Sequence, residues 1–459
     1  MSDGTAAAAP PAAVPDTASL LRSRAYLQAL VLAAIVGVPI SALSYGFLAL
    51  TSRLQTWIFD ELPVELGFTS PPLWWPLLPL PIAGLLVALT ITRLPGNAGH
   101  SPAEGFKTGG PPLPAELPGI ILAALATLAL GVVLGPEAPL IAIGGGLGYL
   151  AVRLAKRDAP PMAATVIATA GSFAAVSTLL GSPLLGAFLL MEVAGIAGPM
   201  LGLVLLPGLL AAGIGTLIFV GLDAWTGLGT YSLALPDVPD FTTPTVAMFC
   251  WALVLGLACS LLGWTIRAIG LALRPVVHRS RLIVTTLLGL LIGGLAVVFA
   301  SITDRDPSEV LFSGQDALPG LVGQAATWST ASLVVLIVCK SLAYGLSLSA
   351  FRGGPVFPAM FIGAALGIAV GSLPGLGLVP GLAIGIGAMS TAMLRLPLTS
   401  TLLATLLLAD DGLAVTPLVI VAVVVTYVVT ARLPEPDQVV LPRRLRPARP
   451  STASAGVAG

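Results

Sequence analysis

Charge is what this sequence lacks. Only 9% of its 459 residues are Asp, Glu, Lys or Arg, against about a quarter in soluble domains. That deficit, with 56% hydrophobic residues and a mean hydropathy of +0.99, excludes an ordinary soluble domain. There are two histidines, and neither H-E-x-x-H, G-x-S-x-G nor paired aspartates on facing spans occurs. The groups an intramembrane enzyme needs are missing, and no metal or cofactor is expected. The three cysteines, Cys250, Cys259 and Cys339, are scattered through apolar segments, which gives neither a disulfide framework nor metal-ligand spacing. Net charge is zero, so bulk charge says nothing about partners; no nucleic-acid partner is expected.

What is abundant is apolar sequence broken by Pro and Gly. Apolar runs recur from 26–50 to 414–431. Some reach the ~20 residues a bilayer crossing needs; others, such as 138–152, 356–372 and 398–409, are too short. Short pieces separated by Pro and Gly predict half-helices that stop within the membrane, tolerated only where protein or a water-filled cavity covers the freed backbone. Transporters and channels have this pattern; simple anchors do not. Arg22 and Arg24 precede the first run, "PRRLRPARP" follows the last, and the loop at 267–281 is basic. The positive-inside rule then makes both termini cytoplasmic in a multi-pass protein of the cell membrane. Residues 1–18 are Ala/Pro-rich and expected to be disordered, without the basic start of a secretion signal. Residues 434–459 form a short basic tail.

The two halves share a signature. "PLIAIGGGLG" (139–148) and "PAMFIGAALG" (358–367) both read P-x4-G-x2-L-G, 219 residues apart. Each follows a Gly/Pro turn, and each is followed by a proline-led apolar helix, "SPLLGAFLLME" and "LPLTSTLLATLLL". The expected fold is an all-α polytopic bundle of tilted and broken helices built from an inverted repeat. The expected repeats are 19–235 and 236–433, divided in the polar loop near residue 235. Such repeats hold their substrate site where the broken helices meet.

A helix entered through Gly-Pro presents unpaired N–H groups and the positive end of its dipole. Converging ends bind an anion by partial charges and let it leave again. The candidate ends are "GHSPAEG" (99–105), "GPEAP" (135–139) and "GGPVFP" (353–358). The second carries Glu137, a carboxylate inside an apolar run. At a positive helix end it is a tethered anion that can occupy the site of a free one, and protonation or rotation would vacate that site. Otherwise it caps its helix or faces a water-filled vestibule; ionisable residues at membrane depth are functional by default. Glu192 is either a water-facing helix end or a possible proton relay. Lys340 and Arg352 flank the third turn, where they raise the local potential for anions or snorkel to an interface. His100 is an ion donor or simply a turn residue, His278 a solvated loop residue, and Arg395 an anchor.

Assembled in order, these residues make the chain resemble the CLC family of chloride channels and proton-coupled chloride transporters, over roughly 25–435. "GPEAP" looks like that family's G-R-E-G-P motif, whose glutamate is the gate, at Glu137. "GGPVFP" looks like its G-G-x-F-x-P motif, whose amides line the anion site; Pro355 has no N–H, which leaves Val356 and Phe357. "AGHSP" (98–102) stands where the family has G-S-G-I-P, with Gly99, His100 and Ser101 all open as the donor. "GSPLLGAFLLMEV" and "RLPLTSTLLATLLLADD" resemble two further family segments. The resemblance implies one pore per subunit, a homodimer, and anion binding by Gly99, His100, Ser101, Gly135, Gly354, Val356 and Phe357. Departures accompany it. Pro136 and Ala138 replace the gate motif's Arg and Gly, the inner glutamate of coupled exchangers falls on Val193 beside Glu192, and no inner-gate tyrosine occurs near 434–442. The expected function is anion transport, chloride above all, channel-like or weakly proton-coupled. A proton-coupled carrier for another anion such as fluoride or nitrate, or for a cation, is the alternative. A cation carrier would need further acids at the depth of Glu137, and the sequence offers few.

Overall fold

Backbone N–H and C=O groups in lipid must be bonded within their own segment, so an apolar chain crosses as helix. The computed structural model describes residues 21–106, 110–195, 199–235, 238–241 and 243–440, and among these there are helices and turns but no strand. The expected disorder of 1–18 and most of the basic tail lie outside the described residues. In chain order the helices of ten residues or more are α1 (Arg24–Thr56), α2 (Pro79–Arg93), α3 (Leu117–Ala129), α4 (Glu137–Ala155), α5 (Pro161–Ala175), α6 (Pro183–Ala194) and α7 (Pro199–Thr226). After a polar connection come α8 (Val246–Arg279), α9 (Arg281–Thr303), α10 (Thr330–Ala350), α11 (Val356–Gly371), α12 (Leu378–Leu394), α13 (Pro397–Leu406) and α14 (Gly412–Arg432).

Eight helical stretches among the described residues are long and apolar enough to cross a membrane, from Arg24–Glu65 to Gly412–Arg432. Others, including α5, α6 and α11 to α13, have 10–17 residues. At about 1.5 Å per residue they fall short of a hydrocarbon core about 30 Å thick. Proline sets where they start: α5, α6 and α13 open on it, where its missing N–H is no loss. Helices α11 and α12 are buried on nearly every side, as their unbroken apolar sequence requires.

Glycine brings backbones into contact. A Cβ on Gly144 would strike the carbonyl of Gly171, which seats α4 on α5; in the second half a Cβ on Gly363 would strike that of Gly385, which seats α11 on α12. The two pairs of helices are equivalent in the repeat. Spacings of four residues (Gly144–Gly148, Gly363–Gly367, Gly381–Gly385) give the small-residue stripe that close helix packing in membranes uses.

Two charged side chains of this bundle, Lys340 and Arg395, have partners of their own. Lys340 on α10 is fully buried, yet it neither snorkels nor faces an anion. Its ammonium donates to the carbonyls of Glu309, Val310 and Leu311 at 2.8–3.2 Å and lies 4.3 Å from the Phe361 ring centre. All three of its N–H groups are used, tying the 309–311 loop to α10 and α11. Arg395 ends α12 in a left-handed conformation (φ 59°) and pairs with both oxygens of Glu435 at 2.8 and 3.0 Å. His278 is exposed beside Arg281.

Candidate anion site

The starts of α4 and α11 meet. Gly135 N–H donates to the Gly354 carbonyl at 2.8 Å, and Gly354 N–H returns the bond to Gly135 at 2.6 Å, an isolated antiparallel bridge. The two glycines are 219 residues apart, the repeat offset. An antiparallel bridge between equivalent residues has a local two-fold axis through it. The sequence match therefore extends back beyond its proline, to G-P-x-x-P at 135–139 and 354–358, a signal the shorter pattern missed.

The bridge corrects one expectation. The amides of Gly135 and Gly354 are engaged with each other and are not donors to an anion. What the two glycines supply is room: a Cβ on either would run into the Glu137 carboxylate. Prolines restrict the remaining donors. Pro355 and Pro358 have no N–H, so the first turn of α11 offers the amides of Val356 and Phe357, both buried. Glu137, with no exposed surface, places Oε1 2.5 Å from the Val356 amide, which donates to it; Oε2 has no partner. Donor and acceptor are again equivalent positions of the repeat. The Tyr344 hydroxyl, on α10, donates to the Pro355 carbonyl at 2.9 Å and steadies this turn. Nothing in an apolar helix carrying one tyrosine marks it for that part.

Two cavities approach Glu137. The larger, about 890 Å³, is walled by Gly99, His100, Ala138, Pro139, Arg352 and Pro355 among others. A small one of about 40 Å³ is walled by Gln55, Leu134, Pro136, Tyr231, Gln315 and Asp316. The chain leaves one cavity wall at Pro136 and enters the other at Ala138, and the sealed Glu137 lies at the changeover.

The first turn departs from expectation. Residues 99–105 do not open a long helix: Pro102–Glu104 is a single 3-10 turn, too short for an appreciable dipole. The Gly99 amide is engaged with the Gly96 carbonyl, so it is not a free donor either. Gly99 and His100 do reach the large cavity, whereas Ser101, half-buried, is not in its wall. The His100 ring lies 3.6 Å from Glu104, which in turn pairs with Arg274 at 2.5 Å. Glu192 caps α13. Oε1 accepts the Leu398 amide at 2.9 Å, and Oε2 accepts the Thr399 amide and hydroxyl at 2.7 and 2.6 Å. The acid thus joins the two halves of the chain.

The chain matches the family described as voltage gated chloride channel over residues 104–431, well over half its length. It is 28% identical over 357 residues to YfeO of Escherichia fergusonii, which its name assigns provisionally to ion transport; the match covers 76% of this chain and 80% of that one. YfeO of Salmonella typhimurium is likewise 28% identical, over 365 residues, with 76% and 81% covered. In fold it is similar to a slow cyanobacterial Cl−/H+ antiporter (TM-score 0.68, 21% identity, 90% of this chain and 97% of that one). It is also similar to a CLC-type fluoride/proton antiporter (TM-score 0.64, 18% identity, 88% and 95%). With its all-helical fold, its converging helix starts and this match, the chain belongs to the voltage-gated chloride channel, or CLC, family of membrane transport proteins.

Proposed function

We propose that the protein carries small anions, chloride first, across the cell membrane, and that Glu137 is the gate. One observation carries this reading: the Glu137 carboxylate sits on the Val356 amide as an anion would, between two cavities that stop on either side of it. Backbone amides of Val356 and Phe357 offset the anion's dehydration by partial charge, strong enough to admit it and weak enough to release it. A proton on Glu137 removes the competing charge and opens the path. Gly99 and His100 contribute to the cavity through which the anion arrives, and Ser101 follows them in sequence without lining it.

Proton coupling in this reading is weak. Glu192, the acid nearest to where the family's inner glutamate aligns, is held as a helix cap, and Val193 cannot titrate. We place the division between repeats near residue 235, both termini on the cytoplasmic side, and two subunits in the working assembly, each with its own path. The test is flux from proteoliposomes of chloride, fluoride and nitrate, with and without a pH gradient. Anion-dependent flux with little shift of reversal potential under a proton gradient is the expected result. A strong shift would mean tight exchange, and flux of cations instead would overturn the reading.

A further inference from the structure

A buried charge is normally paired. Arg352, in the turn between α10 and α11, is 9% exposed and forms part of the wall of the large cavity. Its Nε and Nη2 both donate to the Asn97 carbonyl at 3.2 Å, and Nη1 donates to that of Phe351 at 3.1 Å. A guanidinium has five N–H groups, so one on each Nη has no described partner. The ion pairs among the described residues are Arg53–Glu61, His100–Glu104, Arg267–Glu435, Arg274–Glu104 and Arg395–Glu435. None includes Arg352. Glu104 pairs with Arg274 and His100, and Glu116, which shares the cavity wall, accepts the Leu113 amide. Lys340 is the instructive contrast, a buried cation whose three N–H groups all meet carbonyls and which lines neither of the two cavities described.

We infer that the counter-ion of Arg352 is the transported anion itself, held in the large cavity on the two unengaged Nη N–H groups before it passes to the Val356 amide. This rests on the anion-transport reading above and adds to it a determinant of which anion binds. Two N–H groups on one rigid planar cation are met best by an anion with two acceptor atoms at fixed separation. A spherical halide gains no such geometric match. The cavity therefore favours small planar oxyanions of the nitrate type over halides, although the amide site beyond it has no such preference.

The test is flux against anion concentration in proteoliposomes of the full chain, for chloride and for nitrate, in the natural protein, Arg352→Lys and Arg352→Gln. The natural protein is expected to half-saturate at lower nitrate than chloride. Arg352→Gln, losing the charge-assisted contact and the fork, raises half-saturating chloride about tenfold and half-saturating nitrate by more, so that the nitrate preference is lost. Arg352→Lys, which keeps the charge and loses the fork, restores chloride affinity but not the nitrate preference. Unchanged half-saturation and unchanged nitrate-to-chloride ratio in either variant would overturn the assignment. If neither variant assembles, equal half-saturation for the two anions in the natural protein does so. These outcomes leave anion transport standing; absence of anion flux from the natural protein and from Glu137→Gln alike overturns the transport reading itself.

Discussion

Glu137 has one oxygen on the Val356 amide and one, fully buried, without a hydrogen-bond partner. The glycines around it test how closely the site is built to the carboxylate. Neither Gly135 nor Gly354 has a positive φ, so alanine is tolerated by the backbone and acts only through its methyl group. Gly354→Ala is expected to destabilise the protein by about 1–3 kcal/mol through overpacking. Adding Glu137→Ala should recover most of that, and thermal unfolding of the two single variants and the double variant in detergent gives the coupling. Additive losses would mean the methyl clashes with something else. Asp316, at the rim of the small cavity, offers a pH-dependent check. The residue is exposed overall, yet desolvation by the protein packed around it pushes its carboxyl above the usual carboxylate range. The native state then holds the proton more tightly than the unfolded chain, so stability falls as pH rises above the ordinary Asp value of about 3.9. Asp316→Asn should therefore unfold at a higher temperature than the natural protein near neutral pH. The difference should vanish once pH drops below that ordinary value.

Among elements, α13 and the loop at 309–311 depend on single side chains from far away in sequence. Replacing Glu192 by Ala removes three bonds at the α13 N-terminus and is expected to cost about 2 kcal/mol. An unfolding midpoint unchanged by Glu192→Ala would return Glu192 to the role of a free acid. Lys340→Met leaves three buried carbonyls unpaired and is expected to cost about 2–4 kcal/mol, read by the same unfolding measurement. The half-helices, their proline starts and the Glu137 turn were legible in the sequence because they rest on local rules: helix length, Gly-Pro chemistry and an acid in an apolar run. The reciprocal Gly135–Gly354 bridge, the carbonyl nest of Lys340 and the Glu192 cap were not, since each is made between segments that only the fold brings together. "GHSPAEG" differs for a local reason. Its Gly-His-Ser-Pro start reads as a helix entry, yet the chain makes one 3-10 turn there and begins its next long helix only at Leu117.

At the scale of the molecule, two repeats meet at a two-fold contact and leave one acid between two cavities. If each subunit carries its own path, a dimer of one natural and one Glu137→Gln subunit should show flux midway between the two homodimers; a dominant effect of either subunit would mean a shared path. The most direct measurement is anion flux through the natural protein and Glu137→Gln, from about pH 7.5 down through the carboxylate range of about 4–5. Glutamine has the neutral side chain of the protonated gate. Flux raised at neutral pH, with its pH dependence flattened, is the expected result. Flux that keeps both the magnitude and the pH dependence of the natural protein would contradict the role of Glu137 as a tethered anion.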